Sequence, residues 1–171
     1  GDFAESGPIG ATITEKTLMA WVKLANLTQQ GVGVIGIQKD PALGTDQFDS
    51  IVYAEQTANR WMAGSTGWQR TFEANAGTEE TSTGWVHMAI TYKANDYRLY
   101  RNGVQIGSST AYGLATYDAN SKVYVGKRHW WATGPLTGSV DDARLYNYAL
   151  TQEQILQAYN AGAAARLGAQ A

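Results

Sequence analysis

A strand and a helix meet within one short stretch near the end of this chain. Residues 136–150, LTGSVDDARLYNYAL, alternate small or apolar residues with polar ones, a period of two that is typical of a half-buried β-strand. Thr151 follows at once, with Gln154 three residues later in the spacing of a helix capping box. The stretch therefore predicts a strand that leads into a short helix, and Gly162 lies where a C-terminal cap would end that helix.

Short strand patterns recur along the rest of the chain at intervals of about 8–12 residues, with Gly, Asn and Asp between them. The predicted strands are residues 17–23, 32–38, 49–56, 59–63, 68–72, 85–92, 97–101, 104–107, 123–126 and 138–146. Such a series predicts an all-β fold in which two antiparallel sheets pack face to face as a sandwich. Residues 1–162 form the predicted domain, and residues 163–171, which have no core-forming pattern, are interpreted as a tail or linker.

Composition and charge limit the classes of partner. The chain has 171 residues, of which 44% are hydrophobic, and this is enough for the core of one two-sheet domain. Its net charge is -2 and its longest basic cluster is Lys127 with Arg128, so we expect no nucleic-acid partner. It has no cysteine, and hence no disulfide. It also lacks an apolar run of about 18 residues, so we expect no insertion into a membrane.

Three motifs resemble those of a known family. They are W-x-H-x-A-x-x-Y in residues 85–92, L-Y-x-N-G in residues 99–103 and G-x-x-D-D-x-R-x-Y-x-x-x-L in residues 138–150. Between Thr17 and Tyr159 the chain resembles the bacterial LamG-like branch of the concanavalin A-like jelly rolls. The resemblance implies a jelly-roll sandwich closed by one short C-terminal helix. Because such folds host lectins, glucanases, receptors and spacers, the fold alone does not decide the function.

The sequence lacks the residue patterns of familiar hydrolases. Glucanases of this fold carry a strand with Glu-x-Asp-x-Glu or a similar motif, whose alternation points the carboxylates to one face, and no such strand occurs in this chain. Asp141 and Asp142 would face opposite sides of a regular strand, and Glu79 and Glu80 lie in a polar turn. Residues 31–36 match a dinucleotide-binding fingerprint, but a strand continues where that site needs a helix, which indicates a glycine-rich strand entrance. We therefore expect no enzyme activity.

The tryptophans are the main candidates for ligand contact, because sugar rings offer apolar faces that stack on exposed aromatic rings. Trp21 and Trp85 lie mid-strand and are assigned to the core, whereas Trp61 fits either the core or a concave binding face. For Trp130 and Trp131 the alternative is that one ring caps the open end of the sandwich. The predicted ligand-binding residues are Trp61, Trp68, Arg70, Arg128, His129, Trp130 and Trp131.

The resemblance also implies a structural calcium ion, bound by an acidic side chain on the late strand and by a carboxylate near the N-terminus. Asp141 matches the strand position and Asp2 the N-terminal one. Two other roles for Asp141 stay open. Its carboxylate could accept backbone amides at the strand end, or it could pair with Arg144.

The expected function is non-catalytic binding of a glycan or polysaccharide by a module of a larger extracytoplasmic bacterial protein. The alternative is a protein interaction or structural module that uses loops or a sheet edge and binds no sugar. Burial of the loop tryptophans would favour the alternative, whereas a groove lined by Trp61 or Trp68 with polar groups would favour sugar binding.

Overall fold

The structure, a computed structural model, describes residues 2–40, 46–132 and 134–168, with side chains described as far as residue 163. The strands and the helix are β1 (Ala4–Glu5), β2 (Lys16–Leu24), β3 (Val32–Gln38), β4 (Phe48–Tyr53), β5 (Trp61–Ser65), β6 (Phe72–Glu73), β7 (Trp85–Lys93), β8 (Asp96–Arg101), β9 (Val104–Ser109), β10 (Lys122–Val125), β11 (Gly138–Tyr146) and α1 (Gln152–Gly168). Among the residues described, no helix has the length and hydropathy needed to cross a membrane.

The strands form two antiparallel sheets that pack as a sandwich. The strand order is β1-β10-β3-β4-β5-β6 in the six-stranded sheet and β11-β2-β7-β8-β9 in the five-stranded sheet. The predicted all-β sandwich with one C-terminal helix is therefore confirmed, and β3 and β11 have the predicted bounds. The prediction did not include β1, which is only two residues long and pairs with β10.

Alternation along the strands decides which side chains fill the interior. In β2, Leu18, Ala20 and Val22 point between the sheets, whereas Met19 and Trp21 point outward. The interior core also includes Val34, Ile35, Ile37, Ile51, Tyr53, Trp61, Met88, Ile90, Tyr92, Tyr97 and Leu99. Burial of such large apolar side chains stabilises the sandwich by about 1.5–3 kcal/mol each.

A buried ion cluster joins the two sheets. Asp49 of β4 lies 2.9 Å from the Lys16 ammonium of β2, and Arg70 Nε donates to its other oxygen at 2.8 Å. Lys16 Nζ also lies 4.2 Å from the ring centre of Tyr92 and 4.8 Å from that of Tyr117. Burial lowers the pKa of Lys16, while the charge of Asp49 opposes that shift. One carboxylate thus ties a strand of each sheet to the loop before β6.

The hairpin around Trp68 differs from the prediction. The strand predicted at residues 68–72 was wrong at its start, because a 3-10 turn, Thr66–Trp68, follows β5 directly. Gly67 and Trp68 have φ angles of 57° and 61°, in the left-handed region, which no β-strand adopts. Only Phe72–Glu73 pairs as a strand, next to β5.

The C-terminal helix is longer than the sequence predicts. Its capping box is present: the Thr151 N–H donates to Gln154 Oε1 at 2.9 Å, and the Gln154 N–H donates to Thr151 Oγ1 at 3.3 Å. The cap predicted at Gly162 was wrong, because α1 continues through that residue. A Cβ at Gly162 would lie 2.4 Å from Nε1 of Trp21, so close packing on the sheet requires this glycine. The tail predicted for residues 163–171 stays a prediction.

Each sheet has an outer face that another part of the chain covers. On the five-stranded sheet, Leu150 just before α1 and Ile155 of α1 pack on Met19 and Tyr100. On the six-stranded sheet, the segment that follows β10 crosses β3 and β4. We call this segment, residues 126–132, the covering loop, and it carries most of the predicted binding residues.

Candidate functional site

The covering loop lies directly on the backbone of β3, and two glycines allow this contact. A Cβ at Gly33 would lie 2.1 Å from the backbone nitrogen of Arg128, and a Cβ at Gly36 would lie 2.1 Å from the Arg128 carbonyl oxygen. These glycines belong to the stretch that matches a dinucleotide fingerprint. Both lie within β3, in agreement with the predicted glycine-rich strand entrance, and they allow the backbone of the covering loop to approach that strand closely.

Side chains then fix the loop on both sides of Arg128. The His129 ring stacks on Phe48 of β4, with ring centres 4.1 Å apart and planes inclined by 24°. The Trp130 N–H donates to Oε1 of the buried Gln38 at 2.7 Å, and the Arg128 guanidinium pairs with Glu55. Arg128 and His129 therefore hold the loop in place rather than standing free at its surface.

His129 is uncharged at neutral pH in this setting. Burial, together with the positive charges of Arg128 and Lys127, lowers its pKa to about 4. A neutral imidazole can stack flat on Phe48 without the cost of burying an ion.

The loop turns its large aromatic rings outward. Trp130 is 44% exposed and Trp131 is 62% exposed, and Phe3, just before β1, is 42% exposed. The ammonium of Lys127 lies between two of these rings, 4.5 Å from the centre of Phe3 and 5.7 Å from that of Trp130. We call Phe3, Trp130 and Trp131 the aromatic surface.

Trp68 lies at the same end of the six-stranded sheet. Its ring is 51% exposed in the 3-10 turn after β5. Thr66 in that turn accepts a hydrogen bond at 2.7 Å from the backbone N–H of Phe48, the residue on which His129 stacks. The turn and the covering loop are therefore both anchored to the start of β4.

Trp61 does not reach a binding face, which corrects its place among the predicted ligand-binding residues. It is fully buried in the core, and its Nε1–H donates to Glu80 at 2.9 Å. Arg101 also donates two hydrogen bonds to Glu80, at 2.8 and 2.9 Å. Burial alone would raise the pKa of Glu80, but the hydrogen bonds from Arg101 and Trp61 outweigh it and lower that pKa. Of the two alternatives for Trp61, the core is correct.

Arg70 is corrected in the same way. Its guanidinium is buried, donates to Asp49 at 2.8 Å and also donates to the carbonyl of Phe48 at 3.3 Å. These contacts engage Arg70 in the buried ion cluster rather than at an exposed binding surface. Of the predicted ligand-binding residues, Trp68, Trp130 and Trp131 remain exposed, and their binding role stays a prediction.

Trp21 and Trp85, the two tryptophans predicted to lie in the core, differ in burial. Trp21 is buried on the outer face of the five-stranded sheet, where its ring stacks on Tyr159 of α1 with centres 5.6 Å apart. His87 lies beside it at 5.5 Å, and burial lowers the pKa of His87 to about 4. Trp85, at the start of β7, is only half-buried.

The structure does not bring the two predicted calcium ligands together. Asp2 lines a cavity of about 320 Å³ with Val140, which packs against the core. Asp141, the next residue of β11, pairs with Trp21 and therefore faces the outer side of the sheet. Within the described ranges, no group of three or more His, Cys, Asp or Glu could hold a metal ion. The calcium ion stays a prediction that these side chains alone do not support.

A bulge explains the two adjacent carboxylates of β11. The register shifts between Asp141 and Arg144, and Asp142 has a φ of 50°. Arg144 donates twice to Asp142, both at 2.7 Å, and the Asp142 N–H donates to Asp141 Oδ1 at 2.8 Å. Arg144 thus pairs with Asp142, and Asp141 accepts a backbone amide, which is one of the two other roles predicted for its carboxylate.

Sequence reasoning missed three residues that shape this region. Phe3 and Lys127 join Trp130 in one exposed cluster, and Gln38 anchors the loop from β3. The spacing of Gly33 and Gly36 within one strand was the available signal, since glycines inside a strand often mark a close backbone approach.

Comparison with known proteins places the chain in a family. A sequence profile of the concanavalin A-like lectin/glucanases superfamily, Laminin_G_3, matches residues 5–156. Among solved structures, the chain is similar to domain 4 of AbnA, a GH43 extracellular arabinanase from Geobacillus stearothermophilus, solved in complex with arabinotriose. That match has 21% identity and a TM-score of 0.66, and it covers 92% of this chain and 81% of that one.

Two further structures have the same fold. A Bacteroides ovatus protein, named as a candidate carbohydrate-binding protein, is 17% identical with a TM-score of 0.70, covering 91% of this chain and 43% of that one. A heptameric SAP-like pentraxin from Limulus polyphemus is 14% identical with a TM-score of 0.67, covering 90% of this chain and 73% of that one. The chain thus spans less than half of the Bacteroides protein.

At these identities the solved structures establish the fold and no more. A search of the curated proteins gives no match. The sequence profile covers most of the chain, and the two-sheet architecture agrees with it. The chain therefore belongs to the concanavalin A-like lectin/glucanase superfamily.

Proposed function

We propose that the protein is a non-catalytic carbohydrate-binding module. The observation that carries this proposal is the pair Trp130 and Trp131, exposed on a loop that is fixed to the sheet below it. An exposed aromatic pair on a rigid support is what the apolar face of a sugar ring requires for stacking. Trp68 at the same end of the sheet would extend contact to a longer glycan.

Rigidity of the support adds to this argument. Stacking gains little if the binding rings must first be ordered, because ordering costs conformational entropy. The contacts of Arg128 with β3 and the stack of His129 on Phe48 order the loop in the free protein. The aromatic surface is therefore ready for a ligand before one arrives.

Two of the similar structures support the same class of ligand. Domain 4 of AbnA was solved with arabinotriose, and the Bacteroides ovatus protein is named for carbohydrate binding. Their low identity carries no information about the particular sugar, so the proposal for this chain stops at glycans and polysaccharides.

The carboxylates support a non-catalytic role. A glycosidase needs one carboxylic acid with a raised pKa beside a second carboxylate. Asp49 is buried in an ion cluster, Glu55 pairs with Arg128, and hydrogen bonds lower the pKa of Glu80. Turnover of any polysaccharide that disappeared on replacing a carboxylate would contradict this part of the proposal.

The test is binding to a panel of soluble and insoluble polysaccharides, including arabinan, measured by affinity electrophoresis and calorimetry. Loss of both stacking rings in a Trp130→Ala/Trp131→Ala variant is expected to weaken binding about tenfold or more. Tyr148→Ala is the matched control, because Tyr148 is 47% exposed but lies after β11 of the other sheet. Equal affinity of the double variant and the control would overturn the proposed site.

The alternative, a protein interaction or structural module without sugar binding, has one observation in its favour. Val104 at the start of β9 is exposed, and exposed Leu156 of α1 lies close to the adjoining Gly103. This apolar pair could meet a protein partner. A Val104→Ser/Leu156→Ser variant that lost self-association in analytical ultracentrifugation, with no glycan bound by the wild type, would favour the alternative.

We also propose that the module belongs to a larger extracytoplasmic bacterial protein. The similar structures include a domain of an extracellular arabinanase, and the chain spans less than half of the Bacteroides ovatus protein. The full reading frame tests this proposal, since it should encode further domains and an export signal.

A structural calcium ion at Asp141 stays a proposal from family resemblance, without Asp2 as its second ligand because Asp2 lies with Val140 on the opposite side of β11. It predicts a higher melting temperature with calcium than with EGTA, and a smaller difference in an Asp141→Asn variant. An identical melting temperature in the two buffers would contradict the proposed calcium site.

A further inference from the structure

Lys127 is the cation of the aromatic surface. Its ammonium lies 4.5 Å from the ring centre of Phe3 and 5.7 Å from that of Trp130, within the range of cation–π attraction. Both rings are exposed, so the cation is held at the surface of the protein. Two rings that fix one ammonium reduce the entropy that this flexible side chain would lose on binding a ligand.

No carboxylate in the described ranges pairs with Lys127. The ion pairs there involve other cations: Lys16, Arg60, Arg70, Arg98, Arg101, Lys122, Arg128 and Arg144. The Lys127 ammonium is also not among the buried polar atoms that lack a hydrogen-bond partner. Lys127 is half-buried beside two exposed rings, so its ammonium keeps access to solvent.

Lys127 is one of two adjacent positive charges on the covering loop, although the whole chain carries a net charge of -2. Arg128 follows it directly, and both charges act on His129 inside the covering loop. Glu55 balances Arg128 from the other side, whereas Lys127 has no such partner among the described residues. An incoming negative group would meet an uncompensated cation beside a stacking surface.

We propose that the aromatic surface recognises anionic glycans, in which a sugar ring stacks on Trp130 or Trp131 and its carboxylate or sulfate group binds the Lys127 ammonium. This inference rests on the proposed carbohydrate-binding function and names its ligand class. Lys127 acts as the specificity residue, because a carboxylate or sulfate adds charge attraction to the hydrogen bond that a neutral hydroxyl could also accept from the ammonium. A charge-assisted hydrogen bond of this kind is worth about tenfold in affinity at an exposed site.

The experiment compares two matched pairs of polysaccharides by calorimetry and affinity electrophoresis. Polygalacturonate is compared with its methyl ester, which masks the carboxylates, and dextran sulfate is compared with dextran. The anionic member of at least one pair should bind about tenfold more tightly in low salt, and this preference should fall as salt is raised. The pair that shows the preference identifies the group, carboxylate or sulfate.

Variants distinguish Lys127 from general charge. Lys127→Gln should remove the preference, so that the anionic member of a pair binds no more tightly than the neutral one, and Lys127→Arg should retain it. Lys93→Gln is the control, since it makes the same change in net charge at an exposed site at the end of β7 in the other sheet. A Lys127→Gln variant that kept the full preference would overturn the inference.

Failure of this inference differs from failure of the proposed function. Equal binding of the neutral and anionic members of both pairs would overturn the role of Lys127 but leave glycan binding by the tryptophans intact. Absence of binding to any of the four polysaccharides would overturn the recognition of anionic glycans, and the wider panel would then decide whether neutral glycans bind.

Discussion

The two outer faces of the sandwich are covered in the same way but direct their aromatic rings oppositely. Helix α1 packs close to Trp21 through Gly162, and the covering loop packs close to β3 through Gly33 and Gly36. Under the helix, Trp21 stacks on Tyr159 and is buried. On the other face, the covering segment carries its large rings on the side that faces solvent.

At each cover one histidine is buried against aromatic side chains of the sheet or of the cover. His87 lies against Trp21 and Tyr159, and His129 lies on Phe48. Burial lowers the pKa of both to about 4. The same packing chemistry therefore serves both faces, and the outward tryptophans are the part that packing does not explain. This difference is why the covering loop, and not the helix face, is the candidate site.

The largest expected loss of stability follows from breaking the buried ion cluster that joins the two sheets. Asp49→Asn would leave the charges of Lys16 and Arg70 buried without a counter-ion, which costs about 3–5 kcal/mol of unfolding free energy. Urea denaturation measures the loss, which should destabilise both faces in one transition. Asp96→Asn removes an exposed partner of Arg98 and should cost no more than about 1 kcal/mol. Similar losses in the two variants would show that the cluster does not tie the sheets together.

Acid should lower the free energy of unfolding through one histidine at each face, over the same pH range. His87 and His129 have folded-state pKa values of about 4, below the ordinary value of 6.5, so the unfolded chain binds more protons between these limits. The free energy of unfolding is therefore full above pH 6.5 and falls as pH approaches 4, by up to about 3 kcal/mol for each histidine.

Single replacements separate the two contributions to this pH dependence. His87→Phe and His129→Phe keep an aromatic ring but remove the titration, so each should flatten the stability profile between pH 6.5 and 4. Urea denaturation at a series of pH values measures the slope. If only His87→Phe flattened the stability profile, His129 would not contribute to the pH dependence, and the two faces would differ in this respect.

Replacing the glycine that allows close packing at each face should show that only one of the two faces takes part in glycan binding. Gly33→Ala drives a Cβ into the backbone of Arg128, and Gly162→Ala drives one into the Trp21 ring. Each should cost about 1–3 kcal/mol in stability, because overpacking forces shifts of the segment above. Only Gly33→Ala should also weaken glycan binding, since only that variant moves the tryptophans of the covering loop. Equal glycan binding by the two variants would contradict the placement of the binding site on the covering loop.

Local patterns in the sequence were enough to predict the sandwich. Alternation defined β3 and β11 to the residue, and the capping box at Thr151 is formed by the expected hydrogen bonds. These signals depend on residues that are neighbours along the chain, and so does the strand motif that carries the family resemblance. Prediction from sequence is reliable where the cause of the structure is local.

The predictions that were wrong concern positions whose structure is decided by contacts with residues distant along the chain. Gly162 looks like a helix cap, but its contact is with Trp21 of β2. Trp61 lies on a strand whose orientation the sequence does not fix, and its burial and its hydrogen bond to the distant Glu80 place it in the core. The covering loop rests on glycines far earlier in the sequence, which no spacing rule links to Arg128. Exposure of Trp130 and Trp131 was expected, yet the cation beside them was not.

The smallest expected effect on stability is at the most exposed ring. Trp131→Ala should change the free energy of unfolding by no more than about 0.5 kcal/mol, because the side chain has few buried contacts to lose. Trp21→Ala, on the opposite face, should cost about 3 kcal/mol or more, since it empties the space under α1. Urea denaturation of both variants measures the contrast. A loss at Trp131 as large as that at Trp21 would mean that the ring caps the sandwich, and the alternative of a structural cap would then replace ligand contact for that residue.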